Sequence, residues 1–82
     1  MNSPLKKFSA GAIQVAVWEN NGSEGKVFQS VSIDRRYKDK KGEWKSTHSL
    51  KPSDVPKAIV ALQKAYEFVV LKETGAEVQI AE

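Results

Sequence analysis

The chain has 82 residues and a formal net charge of +3, with a sequence pI near 9.3. That length sets one small domain, which buries only about 60–65% of the surface its unfolded form exposes. With no cysteine and His48 as the only histidine, a disulfide framework, a thiolate metal site and a histidine metal cluster are excluded, and no cofactor or metal is expected.

The opening MNSPLKKF carries two lysines but not the apolar run of about 7–15 residues that a signal peptide needs. No stretch approaches the roughly 18 apolar residues of a membrane span. The expectation is an intracellular protein, cytoplasmic or nucleoid-associated, with no membrane partner. Its basic balance favours an anionic one.

Residues 1–7 read as a flexible lead. Beyond Phe8, the residues Ile13, Val15 and Val17 alternate with Gln14, Ala16 and Trp18. This period of two predicts a strand over about 11–19 with Trp18 on the face away from the core. Residues 20–25, NNGSEG, form a loop rich in types that tolerate positive φ. A second strand is expected over 26–38, with Val27, Val31 and Ile33 inward and Ser30, Ser32, Asp34 and Arg36 on the side of Trp18, unless a bulge near Arg35 exchanges the faces of Arg35, Arg36 and Tyr37. Asp39-Lys40-Lys41-Gly42 breaks the pattern and suits a type I turn closed by a left-handed residue. A third, weakly patterned strand over 43–50 reads as an edge or as a strand interrupted near Ser46 to Ser49.

The last large element is a helix over 53–74. Ser53 or Asp54 can cap it and Pro56 fits its first turn. Val55, Ile59, Leu62, Tyr66 and Val69 recur at spacings of four, three, four and three, the pattern of one core-facing stripe. Thr74-Gly75 supplies the stop. Val60, Phe68, Val70 and Leu71 are apolar as well, which makes the stripe too wide for one sheet face. A second apolar face on a terminal helix predicts a homodimer paired through it. The tail over 75–82 alternates Val78 and Ile80 with polar residues and leaves a short strand or a frayed end open. The order is β-β-β-α, an α+β domain without repeats or linkers.

Charge concentrates in the hairpin between the second and third strands. Arg35, Arg36, Lys38, Lys40, Lys41 and Lys45 are six of the thirteen basic residues, interleaved with Tyr37 and Trp44. Cations and flat rings on a sheet match the needs of a single-stranded nucleic acid, with charge for phosphates and π-faces for unstacked bases. The competing structural explanation is a solubilising hairpin tip whose rings form cross-strand pairs. Trp18 favours the binding reading, because burying both faces of the first strand needs a second layer that 82 residues hardly supply. A catalytic reading of His48 among Ser46, Thr47 and Ser49 lacks a nucleophile elbow and a matching acid. Asp34, Asp39 and Glu43 sit among basic residues and read as ion-paired hairpin positions rather than metal ligands. No enzyme activity is expected.

The run Phe8-x-x-Gly11, Val15-Ala16-Val17-Trp18, Gly25-Lys26-Val27, Ile33-x-x-Arg36-Tyr37-Lys38-Asp39, Gly42-Glu43-Trp44-Lys45 and Ser49-Leu50 before a helix resembles the single-stranded-DNA-binding domain of the transcriptional coactivator positive cofactor four. It is more similar still to that domain's small prokaryotic relatives. The resemblance covers about residues 8–73. It implies a curved antiparallel sheet of three to four strands with one C-terminal helix, dimerising through the helix and binding single-stranded or melted DNA with little sequence preference. By position, Tyr37 falls on the family's base-stacking aromatic, and Lys26 and Lys45 fall on its backbone-binding lysines. Arg36 lies one residue from the family arginine, and Trp18 stands where the family has a basic residue.

The combined expectation is a homodimer that binds single-stranded DNA, with RNA as the variant ligand, in transcription, replication or repair. Trp18, Lys26, Arg36, Tyr37, Lys38, Lys40, Trp44 and Lys45 form its surface, and Val60, Phe68, Val70 and Leu71 its dimer interface. The alternative is a protein-interaction module, a small dimeric regulator whose basic hairpin binds an acidic partner protein.

Overall fold

The structure is a computed structural model that describes residues 3–71. Four antiparallel strands form one sheet in chain order: β1 (Lys6–Ala10), β2 (Ile13–Asn21), β3 (Val27–Lys38) and β4 (Trp44–Thr47). One helix, α1 (Val55–Val70), follows a short 3-10 turn at Pro52–Asp54 and lies mainly across β1 and β2.

The order is therefore β-β-β-β-α, and the added strand is at the front. Residues 1–7 were expected to be a lead, yet Lys6 and Lys7 already pair with Val17 and Ala16. Lysines suit an edge strand because their charge discourages further pairing. The connection to β2 is a two-residue turn, Gly11-Ala12, in which Gly11 takes φ 59, a conformation glycine adopts without the cost of a Cβ. Strand β2 extends past the expected end at residue 19 to Asn21, and β4 stops at Thr47 rather than 50.

The register from Ile13↔Arg35 to Asn21↔Val27 is continuous, so the alternation of faces is preserved along the β2–β3 pair. Ile13, Val15 and Val17 are fully buried toward the helix. Their helix partners are small: Ala58, Ala61 and Ala65, with Val69 at the margin and Phe8, Ala10 and Ile33 closing the sides.

That finding corrects the expected helix orientation. Of Val55, Ile59, Leu62, Tyr66 and Val69, Val69 alone packs against the core. Ile59 is 59% and Tyr66 65% exposed. The physical reason is distance: alanines let the helix backbone approach the branched side chains of β2 closely, while larger residues at those positions would hold it away. At 100° per residue, Val55, Ile59, Leu62, Tyr66 and Val70 fall within a sector of about 80° beside the alanines and form an exposed apolar flank.

Helix entry is fixed by Asp54. Its buried carboxylate does not cap α1 as expected; Oδ2 accepts the Lys51 N–H at 2.9 Å and lies 3.0 Å from Arg35 Nε. The Arg35 contact is ionic rather than a directed hydrogen bond, since Nε–H has no acceptor in line. It joins the helix start to β3. At the other end Leu71 is extended and α1 stops at Val70, ahead of the expected end at 74. Thr74-Gly75 and the tail over 75–82 lie outside the described residues.

Two outcomes follow for stability. Ala61→Leu overpacks the helix–sheet contact and costs about 1–3 kcal/mol, seen as a melting temperature lower by several degrees; an unchanged melt would contradict the close-approach packing. Asp54→Ala leaves Arg35, whose side chain is only 16% exposed, without its counter-charge. The expected loss is about 3 kcal/mol by urea denaturation, and a loss near zero would remove the pair from any role in anchoring the helix.

Candidate nucleic-acid interface

The helix covers one face of the sheet and the other carries no packed layer among the described residues. Directly paired residues of antiparallel strands point to the same side, so the register assigns every side chain to a face. On the open face lie Lys7, Ser9, Gln14, Ala16, Trp18, Asn20, Phe28, Ser30, Ser32, Asp34, Arg36, Lys38, Trp44 and Ser46. The expected placement of Ser30, Ser32, Asp34 and Arg36 beside Trp18 is the one observed.

Each ring on this face is held by a neighbour. Trp18 Nε1–H donates to Ser32 Oγ at 2.9 Å, which settles its polar edge and leaves the indole over the sheet. Trp44, 62% exposed, stands opposite Lys38, whose Nζ lies 5.5 Å from the ring centroid in a cation–π arrangement. Phe28 lies exposed near the far end of β3, its ring edge beside Gly22. Arg36 Nη1 donates to Gln14 Oε1 at 3.3 Å, and its backbone N–H to the Ala12 carbonyl at 2.8 Å. Its remaining guanidinium donors have no partner among the described residues. Two recesses flank this pair. One is lined by Gly11, Ala12, Gln14, Arg36 and Trp44, the other by Pro4, Lys7, Gln14, Ala16, Trp18, Ser32 and Asp34.

The same alternation divides the eight residues singled out from sequence. Trp18, Arg36, Lys38 and Trp44 share the open face. Tyr37 and Lys45 pair with each other on the helix side, where Tyr37 stacks with Arg35 at 5.6 Å from guanidinium carbon to ring centroid. Lys45 Nζ is 3.7 Å from Asp39 Oδ2 and so partly neutralised. Lys26 lies in the connection before β3, and Lys40 in the turn before β4.

That turn has the expected geometry. Gly42 N–H donates to the Asp39 carbonyl at 3.0 Å, Gly42 adopts φ 82, and Asp39 Oδ1 accepts the Lys41 and Glu43 N–H groups at 2.9 Å each. Holding Asp39 this way presents Lys40 and Lys41 outward. His48 Nδ1–H donates to the Ile33 carbonyl at 3.1 Å, which ties the segment after β4 back to β3.

Sequence reasoning passed over Gln14 and Phe28 as site residues, and placed Lys7 only in a lead that could add it to a basic surface. Phe28 was legible: with Val27 inward, its neighbour must point outward. Lys7 required recognising β1, and Gln14 required seeing its bond to Arg36. Among the described residues no helix is long and apolar enough to cross a membrane, and no three acidic, histidine or cysteine side chains gather as a metal site. No family model matches the chain, and no curated protein or solved structure is significantly similar to it.

Proposed function

We propose that the protein binds single-stranded nucleic acid along the open face of its sheet, with little dependence on sequence. The observation that carries this reading is the segregation of Trp18, Phe28 and Trp44 with Lys7, Arg36 and Lys38 on one face that, among the described residues, is uncovered and holds a single acid, Asp34. A strand laid along β3 from Phe28 to Lys38 has a track of about 33 Å, at roughly 3.3 Å per residue. Rings spaced along it take unstacked bases and the cations take phosphates. A duplex, with bases already stacked inside, offers the rings nothing.

The protein acts in this reading as a homodimer. The helix flank of Val55, Ile59, Leu62, Tyr66 and Val70 is exposed, and so are Val60, Phe68 and Leu71 and, on the helix side of β3, Val27 and Val31. So much apolar surface on a small domain supports a second copy packed helix to helix. This refines the expected interface: Val70 belongs to the flank, whereas Val60 projects well away from it.

A fluorescence-anisotropy titration of labelled oligothymidine beside a duplex of equal length tests the first claim. Expected are preference for the single strand and a slope of log K on log salt near −3, for about four phosphates neutralised. Trp18→Ala and Trp44→Ala should each weaken binding by about 1–3 kcal/mol, and Tyr37→Ala by much less. Equal, weak binding to both forms would contradict the reading and turn the search to an acidic partner protein. For the dimer, sedimentation equilibrium should give twice the chain mass, and Ile59→Glu the single mass; a monomeric native chain would refute that interface.

A further inference from the structure

The recess between the β1–β2 turn and the start of β4 has a volume of about 320 Å³ and opens on the proposed strand-binding face. That size is at the small end for a ligand site and suits a single planar group. Trp44 supplies the only ring in its lining, and Gly11 and Ala12 the side without bulk. The polar groups are Gln14 and Arg36, joined by the bond from Nη1 to Oε1.

This bond decides what the recess recognises. Gln14 is ordinarily both donor and acceptor; Arg36 takes one of the two lone pairs of Oε1, while both N–H groups of Nε2 are without a partner among the described residues. Arg36 has donors only, and the Ala12 carbonyl is engaged by the Arg36 backbone N–H. The unpartnered side-chain groups are therefore mainly donors, set beside an aromatic wall. Of the base edges, that of guanine with O6 and N7 presents two adjacent acceptors and no donor between them; adenine and cytosine each place an amino group there, and thymine has one acceptor beside a methyl group. On the pairing edge cytosine also has two adjacent acceptors, O2 and N3, with a donor beyond them as guanine has N1–H beyond O6; the larger purine ring, which stacks more extensively on Trp44, favours guanine of the two.

We propose that this recess binds one guanine base of the single strand, stacked on Trp44, with O6 and N7 accepting from Arg36 and the Gln14 amide. The inference rests on the strand-binding reading and adds to it one position of base preference on a face that otherwise takes any sequence. It also explains why Gln14 stands among cations and rings on the open face.

The test uses the full chain and oligothymidines carrying one central substitution, compared by competition anisotropy. A single guanine should tighten binding by about tenfold over adenine, cytosine or thymine at that position, within the 1–3 kcal/mol that a bidentate base contact discriminates. With 7-deazaguanine, which keeps the ring but lacks the N7 acceptor, the advantage should largely vanish. In Gln14→Ala and Arg36→Lys the guanine-to-thymine affinity ratio should fall toward one. Equal affinity for all four bases, alongside strong binding of oligothymidine, would overturn the guanine site and leave the strand-binding reading standing, as would a preference for cytosine. Failure of every oligonucleotide to bind would overturn both. Because the 7-deazaguanine comparison is made with native protein, it decides the matter even where a variant does not fold.

Discussion

The fold depends on how closely α1 can approach β2. Ala58, Ala61 and Ala65 on one side meet Ile13, Val15 and Val17 on the other, and these six residues are the buried core. Small against branched is a close fit, and it decides which side of the helix is used. Once the alanines face the sheet, the large apolar residues are forced to the flanks and outer surface. Because the helix sits on β1 and β2, the β3 residues Val27 and Val31 are left uncovered as well. So small a core beside so much exposed apolar surface is the ground for the proposed partner copy.

The second consequence is the division of charge. Arg35 and Arg36 are neighbours in sequence and opposite in role, since strand alternation sends one inward and one outward. Arg35 meets Asp54 at 3.0 Å and ties β3 to the helix start, a contact in which both charges are mostly removed from water. Arg36 emerges on the open face beside Gln14 with most of its donors free among the described residues. Alternation likewise separates Trp44 from Lys45 and Lys38 from Tyr37. A basic hairpin that looks uniform in sequence is therefore two surfaces, one neutralised by Asp39 and Asp54 and one left positive.

What was legible in the sequence was whatever followed a period. Ile13, Val15 and Val17 announced both the core strand and the outward Trp18, and the Asp39 to Gly42 turn followed from its residue types. The inward side of α1 was misread because hydrophobic patterning weights large residues, and the spacing of Val55, Ile59, Leu62 and Tyr66 is as regular as that of Ala58, Ala61 and Ala65. Only the sheet's position decides between them. Strand β1 was hidden because KKFSA is short and mostly polar, and its stability comes from pairing with β2 rather than from its own composition. The Gln14–Arg36 contact joins residues 22 apart in sequence and needed the register to bring it into view.

We propose that one face of the sheet, and only that face, meets single-stranded nucleic acid. The most direct test is to follow side-chain and backbone NMR signals while unlabelled oligothymidine is added. The indole N–H signals of Trp18 and Trp44 and the guanidinium signals of Arg36 should shift or broaden, while those of Tyr37, Arg35 and the α1 amides stay in place. Shifts centred on Tyr37 and the helix, with Trp18 and Trp44 unmoved, would contradict the account.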